Sequence, residues 1–341
     1  MKFGQWIGFI TLVLSLYILW QIRQLLLLLF TAVVLATALN QLVKQFQRLR
    51  LKRTLAVFVS LGILIGFLIG FFWLIVPPFV EQFRQLIALL PTGLARVQIW
   101  LNVLQERILG WYPNLQGIEG LLQQIQPLAT QLLQRSVDIF STSITAILQL
   151  LFVLVVTLML LLNPLPYRQG FIRLFPSFYR KRVDEILARC ELALGSWTIG
   201  ALIEMVFIAA LSGLGLWILQ VPLVLAHAVL AGLLNFIPNI GPTLSVVLPM
   251  AIALLDAPWK VVAVLILYIV IQNIESYWLT PTVMAKQVEL LPAVTLTSQI
   301  FFTSFFGALG LLMALPLTVV AKTWIEEALF NDVLDKWKAH S

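Results

Sequence analysis

The hydrophobic residues of this chain occur in long, nearly continuous runs, without the alternation of apolar and polar residues that marks β-strands in barrels. A helix that crosses a bilayer needs about 20 mostly apolar residues. Eight runs are candidates for such helices: 6–22, 25–43, 55–76, 144–162, 195–219, a run that starts near 221 and is interrupted at Pro238, 259–274 and 294–322. The pattern predicts an all-α integral membrane protein with about eight transmembrane helices.

A more polar region between residues 77 and 143 separates the third run from the fourth. Its apolar residues fall at helical spacing, and its acidic and basic residues balance, which predicts amphipathic helices outside the cytoplasm. The predicted organisation is therefore 1–76 for helices one to three, 77–143 for the extracytoplasmic helices and 144–341 for helices four to eight. The last part includes a cytoplasmic loop at 163–194 and a core transport region at 195–325.

The basic residues predict how the chain is oriented in the membrane. Lys and Arg concentrate in cytoplasmic loops of membrane proteins. One cluster precedes the third run and contains no acid, and another follows the fourth run; their members are Lys44, Arg48, Arg50, Lys52 and Arg53, and then Arg168, Arg173, Arg180, Lys181, Arg182 and Arg189. Both loops are predicted to be cytoplasmic, and eight spans then place both termini in the cytoplasm as well.

Composition supports lipid as the solvent of this protein and narrows the classes of function. Hydrophobic residues make up 61% of the chain and charged residues 11%, against about 25% charged residues in soluble proteins. The net charge of +7 comes with basic loops, so nucleic acid is not a predicted partner. The two histidines, His227 and His340, have no ligand spacing, and no phosphate-binding loop is present. We therefore predict neither an enzyme nor a cofactor or metal site.

The segment from residue 233 to 245 interrupts the sixth run with a group of helix-breaking residues. Asn235 is followed by Pro238, Asn239, Gly241 and Pro242. Each proline removes a helix hydrogen bond, and glycine frees the backbone further. Irregular backbone at membrane depth is tolerated where it is buried in protein or lines a cavity, and in transporters it lies at the substrate site. A broken or re-entrant segment in the transport pathway is predicted; a proline loop at the membrane surface is the alternative.

Polar residues within two other runs are further candidates for the pathway. Glu204 lies in the middle of the fifth run, and a carboxylate there should face the protein interior with a partner or a proton. Gln272, Asn273 and Glu275 lie within about one turn at the end of the seventh run. We predict that these four side chains face the broken segment. The alternatives are a structural hydrogen bond for Glu204 and an interfacial charge for Glu275.

These segments, taken in order, resemble the autoinducer-2 exporter family of bacterial permeases. The matching stretches are Ile-Pro-Asn-Ile-Gly-Pro at 237–242, Gln-Asn-Ile-Glu at 272–275, Pro281, Leu-Pro at 291–292, Phe-Gly-Ala-Leu-Gly at 306–310 and Ala-Leu-Pro-Leu at 314–317. The resemblance implies a multi-pass transporter of the bacterial cytoplasmic membrane that is driven by an ion gradient. It also implies an acid near Glu204 and a homo-oligomer, with a pentamer as the family precedent.

The sequence thus predicts a membrane permease that exports a small polar solute, similar to autoinducer-2, with coupling to an ion gradient. Its predicted partners are the lipid bilayer, the solute or ion, and further copies of the same chain. Two alternatives remain open. One is a monovalent cation/proton antiporter, and the other is a membrane scaffold that transports nothing and binds a partner through its extracytoplasmic helices.

Overall fold

The computed structural model of the chain describes residues 3–73, 77, 81, 143–284 and 290–335. The regular elements in these ranges are helices: α1 Phe3–Gln21, α2 Arg23–Arg48, α3 Arg53–Trp73, α4 Ser143–Leu162, α5 Pro164–Arg173, α6 Arg180–Ile218, α7 Val224–Leu234, α8 Ile240–Asp256, α9 Pro258–Ile274 and α10 Pro292–Trp324. A π-helical segment, Glu275–Leu279, and a short helix, Thr280–Met284, continue α9. A second π-helical segment, Ile325–Leu334, continues α10. Most of the predicted extracytoplasmic region lies outside the described residues.

Six of the described helices are long and apolar enough to cross a membrane: α2, α3, α4, α6, α9 with its continuation, and α10 with its continuation. Three apolar stretches are shorter, at Ile10–Gln21, Val224–Leu234 and Ile240–Leu254. Large apolar side chains point outward from the long helices, and Trp73 and Val206 are 84% and 70% exposed. An apolar exterior of this kind suits lipid. The chain is a membrane protein whose described part is all-helical, and the total of eight spans stays a prediction.

One long helix replaces two predicted elements. The sequence predicts a cytoplasmic loop at 163–194 followed by a separate span at 195–219, but α6 runs without a break from Arg180 to Ile218, over 39 residues. No proline divides the two parts, and Gly195 allows close packing on α2, where a Cβ would lie 2.9 Å from Gln41 Nε2. A helix of this length measures about 58 Å. It therefore extends well beyond a hydrocarbon layer about 30 Å thick.

The chain forms two compact units, each with its own apolar packing. The first unit comprises residues 1–63, 146–199 and 287–341, and in it Leu28, Ala32 and Val153 form a buried apolar cluster. The second unit comprises residues 64–145 and 200–286. Its larger core contains residues from α6, α7, α8 and α9 and from the connection between α6 and α7: Ile208, Leu216, Val221, Ala231, Ile252, Ala253, Val264, Tyr268 and Ile271. The predicted pathway residues all belong to this second unit.

A network of ion pairs joins the start of α6 to the π-helical segment at the end of the first unit. Arg182 donates to Glu327 Oε2 at 2.9 Å and to Asp332 Oδ2 at 2.9 Å, and Arg189 also pairs with Glu327. The Tyr179 hydroxyl donates to Asp332 Oδ2 at 3.0 Å. Burial and the adjacent Asp332 carboxylate raise the pKa of the Tyr179 phenol, so it remains a donor. Glu327 is buried and neutralised by these arginines.

The last long helix is bent at a single glycine. Gly307 has φ 66° and ψ −146°, a conformation outside the helical region, and it divides α10 into two helical parts. A side chain at Gly307 would meet open space, so the glycine is required by its backbone angles. Gly310 serves a different purpose, because a Cβ there would overlap the carbonyl oxygen of Phe302. The bend and the close backbone approach thus depend on two different glycines.

Candidate functional site

The helix break predicted in the sixth run lies between α7, which ends at Leu234, and α8, which begins at Ile240. Asn239 has φ 67° and ψ −47°, so it departs from helical geometry just before α8 begins. Two main-chain hydrogen bonds of 2.8 Å turn the chain, from Ile240 N–H to the Pro238 carbonyl and from Gly241 N–H to the Ile237 carbonyl. The non-helical part is therefore 235–239.

The prediction that the broken segment includes Gly241 and Pro242 is wrong. Gly241 and Pro242 lie in the first turn of α8, where a proline is tolerated because the first N–H groups of a helix have no partner within it. Gly241 does not have a positive φ, since Gly307 is the only described glycine that has one. Its small size is what matters, because a Cβ at this position would overlap the carbonyl oxygen of Leu234. Gly241 thus permits α7 and α8 to approach closely across the break.

A buried carboxylate in the continuation of α9, Glu275, receives hydrogen bonds from Asn235, which directly follows α7, and from Gln272 on α9. Asn235 Nδ2 donates to Glu275 Oε1 at 2.8 Å, and Gln272 Nε2 donates to Glu275 Oε2 at 3.0 Å. Asn235 is 4% exposed and Glu275 is 8% exposed. Glu275 is also the first residue of the π-helical segment, in which Thr280 N–H donates to the Glu275 carbonyl. Single π-helical turns of this kind occur often at functional sites.

The second carboxylate, Glu204, extends from α6 into the same group of residues. It is 9% exposed, and its Oε1 accepts a hydrogen bond of 2.9 Å from the Thr280 hydroxyl. Glu204 is close enough to Glu275 for the two carboxylates to interact electrostatically. We refer to Glu204, Asn235, Gln272, Glu275 and Thr280 as the carboxylate cluster. It joins α6, α7 and the continuation of α9 within the second unit.

Five of the predicted pathway residues are not part of the carboxylate cluster, and three of these make local hydrogen bonds of their own. The Asn273 side chain is exposed, and its Nδ2 donates to the Ile269 carbonyl of its own helix at 2.7 Å. Asn239 is exposed, and its carbonyl accepts the Thr243 hydroxyl at 2.9 Å. The Pro242 carbonyl accepts the Ser245 hydroxyl at 2.9 Å. Of the predicted residues, Glu204, Asn235, Gln272 and Glu275 are the ones that hydrogen bonds and charge interactions bring together.

Sequence reasoning missed Thr280, which binds Glu204. Thr280 follows the predicted end of the seventh span and precedes Pro281, so it reads as part of a loop. Its position five residues after Glu275 matches one turn of a π-helix, but the sequence gives no sign that this turn is π-helical. Spacing alone therefore could not place the Thr280 hydroxyl beside a carboxylate on α6.

The donors around the two carboxylates differ in kind, and this difference gives the cluster a chemical asymmetry. Glu275 is bound by two amide N–H groups, which suit an ionised carboxylate because that group only accepts hydrogen bonds. Glu204 is bound by a hydroxyl, which can donate to a carboxylate or accept from a carboxylic acid. Glu204 can therefore keep its partner whether or not it carries a proton.

Comparison with known proteins identifies the family. Residues 9–330 match the model of the AI-2E family transporters. The chain is 27% identical to YhhT of Escherichia coli strain K12, named only as a transport protein, over 89% of this chain and 84% of that one. It is 25% identical to the AI-2 transport protein TqsA of the same strain, over 87% and 84% of the two chains. It is 22% identical to YueF of Bacillus subtilis, over 84% and 79%. This multi-pass membrane protein belongs to the AI-2E family of transporters.

Proposed function

We propose that this protein is a secondary permease that exports a small polar solute of the autoinducer-2 type across a bacterial cytoplasmic membrane, with protons as the coupling ion. The observation that carries the proposal is the buried carboxylate cluster beside the break between α7 and α8. Charged groups at membrane depth are costly and usually mark ion or substrate pathways. The solute class is inferred from the name of TqsA, an AI-2 transport protein in the same family.

Within this proposal the two carboxylates have separate roles. Glu204 takes up and releases the coupling proton, because the Thr280 hydroxyl can serve as its partner in both protonation states. Glu275 remains ionised between Asn235 and Gln272 and fixes the end of α7 relative to α9. Protonation of Glu204 removes the repulsion between it and Glu275. The proton therefore changes the balance of charge at the helix break, where the solute would pass.

A monovalent cation/proton antiporter is the second candidate, and one observation favours it. Asn235 is buried, but its Oδ1 atom has no hydrogen-bond partner in the part of the chain that the structure describes. Hard cations prefer oxygen ligands, and an amide oxygen beside a carboxylate provides two ligands of this kind. In this reading Glu275 and Asn235 hold the cation and Glu204 exchanges the proton. The same residues thus serve both candidates, which differ in the transported species.

Reconstitution distinguishes the two functions. Proteoliposomes that contain the purified protein are loaded with autoinducer-2. They are then exposed to an imposed proton gradient or to an imposed sodium or potassium gradient. The permease predicts that the proton gradient accelerates autoinducer-2 movement, while a cation gradient alone leaves the internal pH unchanged. The antiporter predicts the reverse, a cation-driven change of internal pH without autoinducer-2. Protein-free liposomes are the control, and equal behaviour with and without protein would contradict both functions.

A further inference from the structure

The segment that continues α9 departs from α-helical geometry next to the carboxylate cluster. Thr280 N–H donates to the Glu275 carbonyl, five residues earlier, whereas an α-helix joins residues four apart. The turn therefore contains about one residue more than an α-helical turn. We refer to residues Glu275–Leu279, with this spacing of hydrogen bonds, as the π turn.

The π turn determines which side chain lies beside Glu204. The bond between residues five apart places Thr280 on the same side of the segment as Glu275, and the Thr280 hydroxyl donates to Glu204 Oε1 at 2.9 Å. An α-helix turns by about 100° per residue, so there Thr280 would point about 140° away from Glu275 and Leu279 only about 40° away. An α-helical spacing would thus replace the Thr280 hydroxyl beside Glu204 with the aliphatic side chain of Leu279.

The surroundings of the π turn allow such a change of spacing at low cost. The residues in the middle of the turn face outward, and Tyr277 and Trp278 are 82% and 58% exposed. The Trp278 ring contacts Phe207 of α6, with 5.7 Å between the ring centroids. Pro281 has no N–H group, so the next main-chain hydrogen bond is absent with either spacing. A change from π to α therefore exchanges few hydrogen bonds and moves side chains that face lipid.

We propose that residues Glu275–Leu279 alternate between the π-helical and an α-helical spacing during transport, so that Thr280 and Leu279 exchange places beside Glu204. The first state gives Glu204 a hydroxyl partner, and the second removes it. Asn235 and Gln272 bind the side chain of Glu275, at the start of the turn, and can do so in both states. The inference rests on the proposed function and adds to it the conformational step.

The first test deletes Tyr277 and follows autoinducer-2 movement in proteoliposomes. Four residue steps then separate Glu275 from Thr280, so an α-helix keeps the hydroxyl beside Glu204 and Leu279 can no longer replace it. The Tm in detergent should equal or exceed that of the wild type, because the irregular turn is removed. The kcat should fall by about tenfold or more with a KM within about threefold. Tyr277→Ala removes the same exposed side chain but keeps the spacing, so it should retain the wild-type kcat.

The second test does not depend on how well the deletion variant folds. Leu279→Thr provides a hydroxyl beside Glu204 in the α-helical state too, so the two states no longer differ, whereas Leu279→Val provides a side chain branched in the same way without the hydroxyl. The kcat of Leu279→Thr should be about tenfold below that of Leu279→Val.

Equal kcat values for the two Leu279 variants, or a wild-type kcat after deletion of Tyr277, would overturn the inference. Both results would show that the π turn only holds Thr280 in place. If the wild type moves no autoinducer-2, the proposed function fails as well. If the wild type moves autoinducer-2 and these variants match it, this inference alone fails.

Discussion

At the scale of single residues, Asn235 and Asn273 show that the position of an asparagine side chain determines its hydrogen-bond partner. Asn235 is buried and donates to Glu275, whereas Asn273 is exposed and donates to a carbonyl of its own helix. A hydrogen bond to a charged group contributes about 1.5–3 kcal/mol, and a bond within one exposed turn contributes less. The two residues therefore provide a matched pair for testing the carboxylate cluster.

The first prediction concerns this pair. Asn235→Leu keeps the approximate volume but leaves Glu275 with one amide donor in place of two, so the free energy of unfolding should fall by about 1.5–3 kcal/mol. Asn273→Leu is the control and should change it by less than about 0.5 kcal/mol. Thermal unfolding of the purified variants measures both. Equal effects of the two substitutions would contradict the assigned role of Asn235.

The sequence identifies polar residues within the apolar runs, but it could not predict which of them contact one another. Gln272, Asn273 and Glu275 are close in the chain, but a helix turns by about 100° per residue, so Asn273 lies on a different face from Gln272 and Glu275. The burial pattern could not identify the inner face in advance, because nearly every neighbour on α9 is apolar.

At the scale of elements, the break between α7 and α8 depends on close contact between the two helix ends. Gly241, in the first turn of α8, is packed against the carbonyl of Leu234, the last residue of α7. Gly66 on α3 and Gly241 on α8 differ in their surroundings. Gly66 on α3 has no atom within 4 Å of an added Cβ, whereas an added Cβ at Gly241 would overlap main-chain atoms that cannot rotate away.

The second prediction compares these two glycines. Gly241→Ala should lower the free energy of unfolding by about 1–3 kcal/mol, because α7 and α8 must move apart to admit the methyl group. Gly66→Ala should be neutral or stabilising by about 0.5–1 kcal/mol, because alanine restricts the unfolded chain and favours the helix. Thermal unfolding and transport are measured for both. A Gly241→Ala variant as stable as the wild type would argue against the close approach.

The third prediction concerns the ion pairs between α6 and the terminal π-helical segment. Arg182→Met removes the donor to both Asp332 and Glu327, and Glu327 is buried, so the free energy of unfolding should fall by about 1.5–3 kcal/mol. Arg180→Met is the control, because Arg180 is exposed and its guanidinium donates to main-chain carbonyls of the preceding turn. Thermal unfolding at low and high salt is the measurement. Similar losses for both variants would contradict a specific ionic link.

The elements themselves could be predicted only where the sequence marks their ends. Pro238 marks the break in the sixth run, and Pro258 marks the start of α9. Between residues 180 and 218 nothing comparable occurs, and the change from polar to apolar residues predicted a boundary between a cytoplasmic loop and a span that the structure does not have. The polarity of its residues indicates whether water or lipid surrounds a helix. A change of polarity along the chain does not end the helix. Gly307 bends α10, but glycine is common in membrane helices, so the bend could not be inferred from its presence.

At the scale of the whole molecule, one contact relates the two basic clusters. The Arg53 guanidinium at the start of α3 donates to the Leu161 carbonyl near the end of α4 at 2.9 Å. Basic side chains bind the free carbonyls at helix ends in this way. The cluster that precedes α3 and the cluster that follows α4 therefore lie on the same side of the first unit. The positive-inside rule predicts that this side faces the cytoplasm.

The fourth prediction tests the orientation. In a Cys190→Ala background, single cysteines are introduced at Arg50, in the basic cluster before α3, and at Arg107, which lies outside the described residues. A membrane-impermeant thiol reagent added to intact cells should label position 107 and spare position 50. Permeabilised cells are the control, in which position 50 should also react. Labelling of position 50 in intact cells would contradict a cytoplasmic basic cluster.

The central claim is that Glu204 carries the coupling proton, and its most direct test is solute accumulation against a gradient. Proteoliposomes with equal autoinducer-2 on both sides receive an imposed proton gradient, and the steady-state ratio of inside to outside concentration is measured. Wild-type protein and Glu191→Gln, a control on the same helix whose side chain is about half exposed, should both concentrate the solute. Glu204→Gln should fold and let the solute equilibrate but not accumulate, because glutamine cannot carry a proton. Accumulation by Glu204→Gln equal to that of the wild type would contradict the claim.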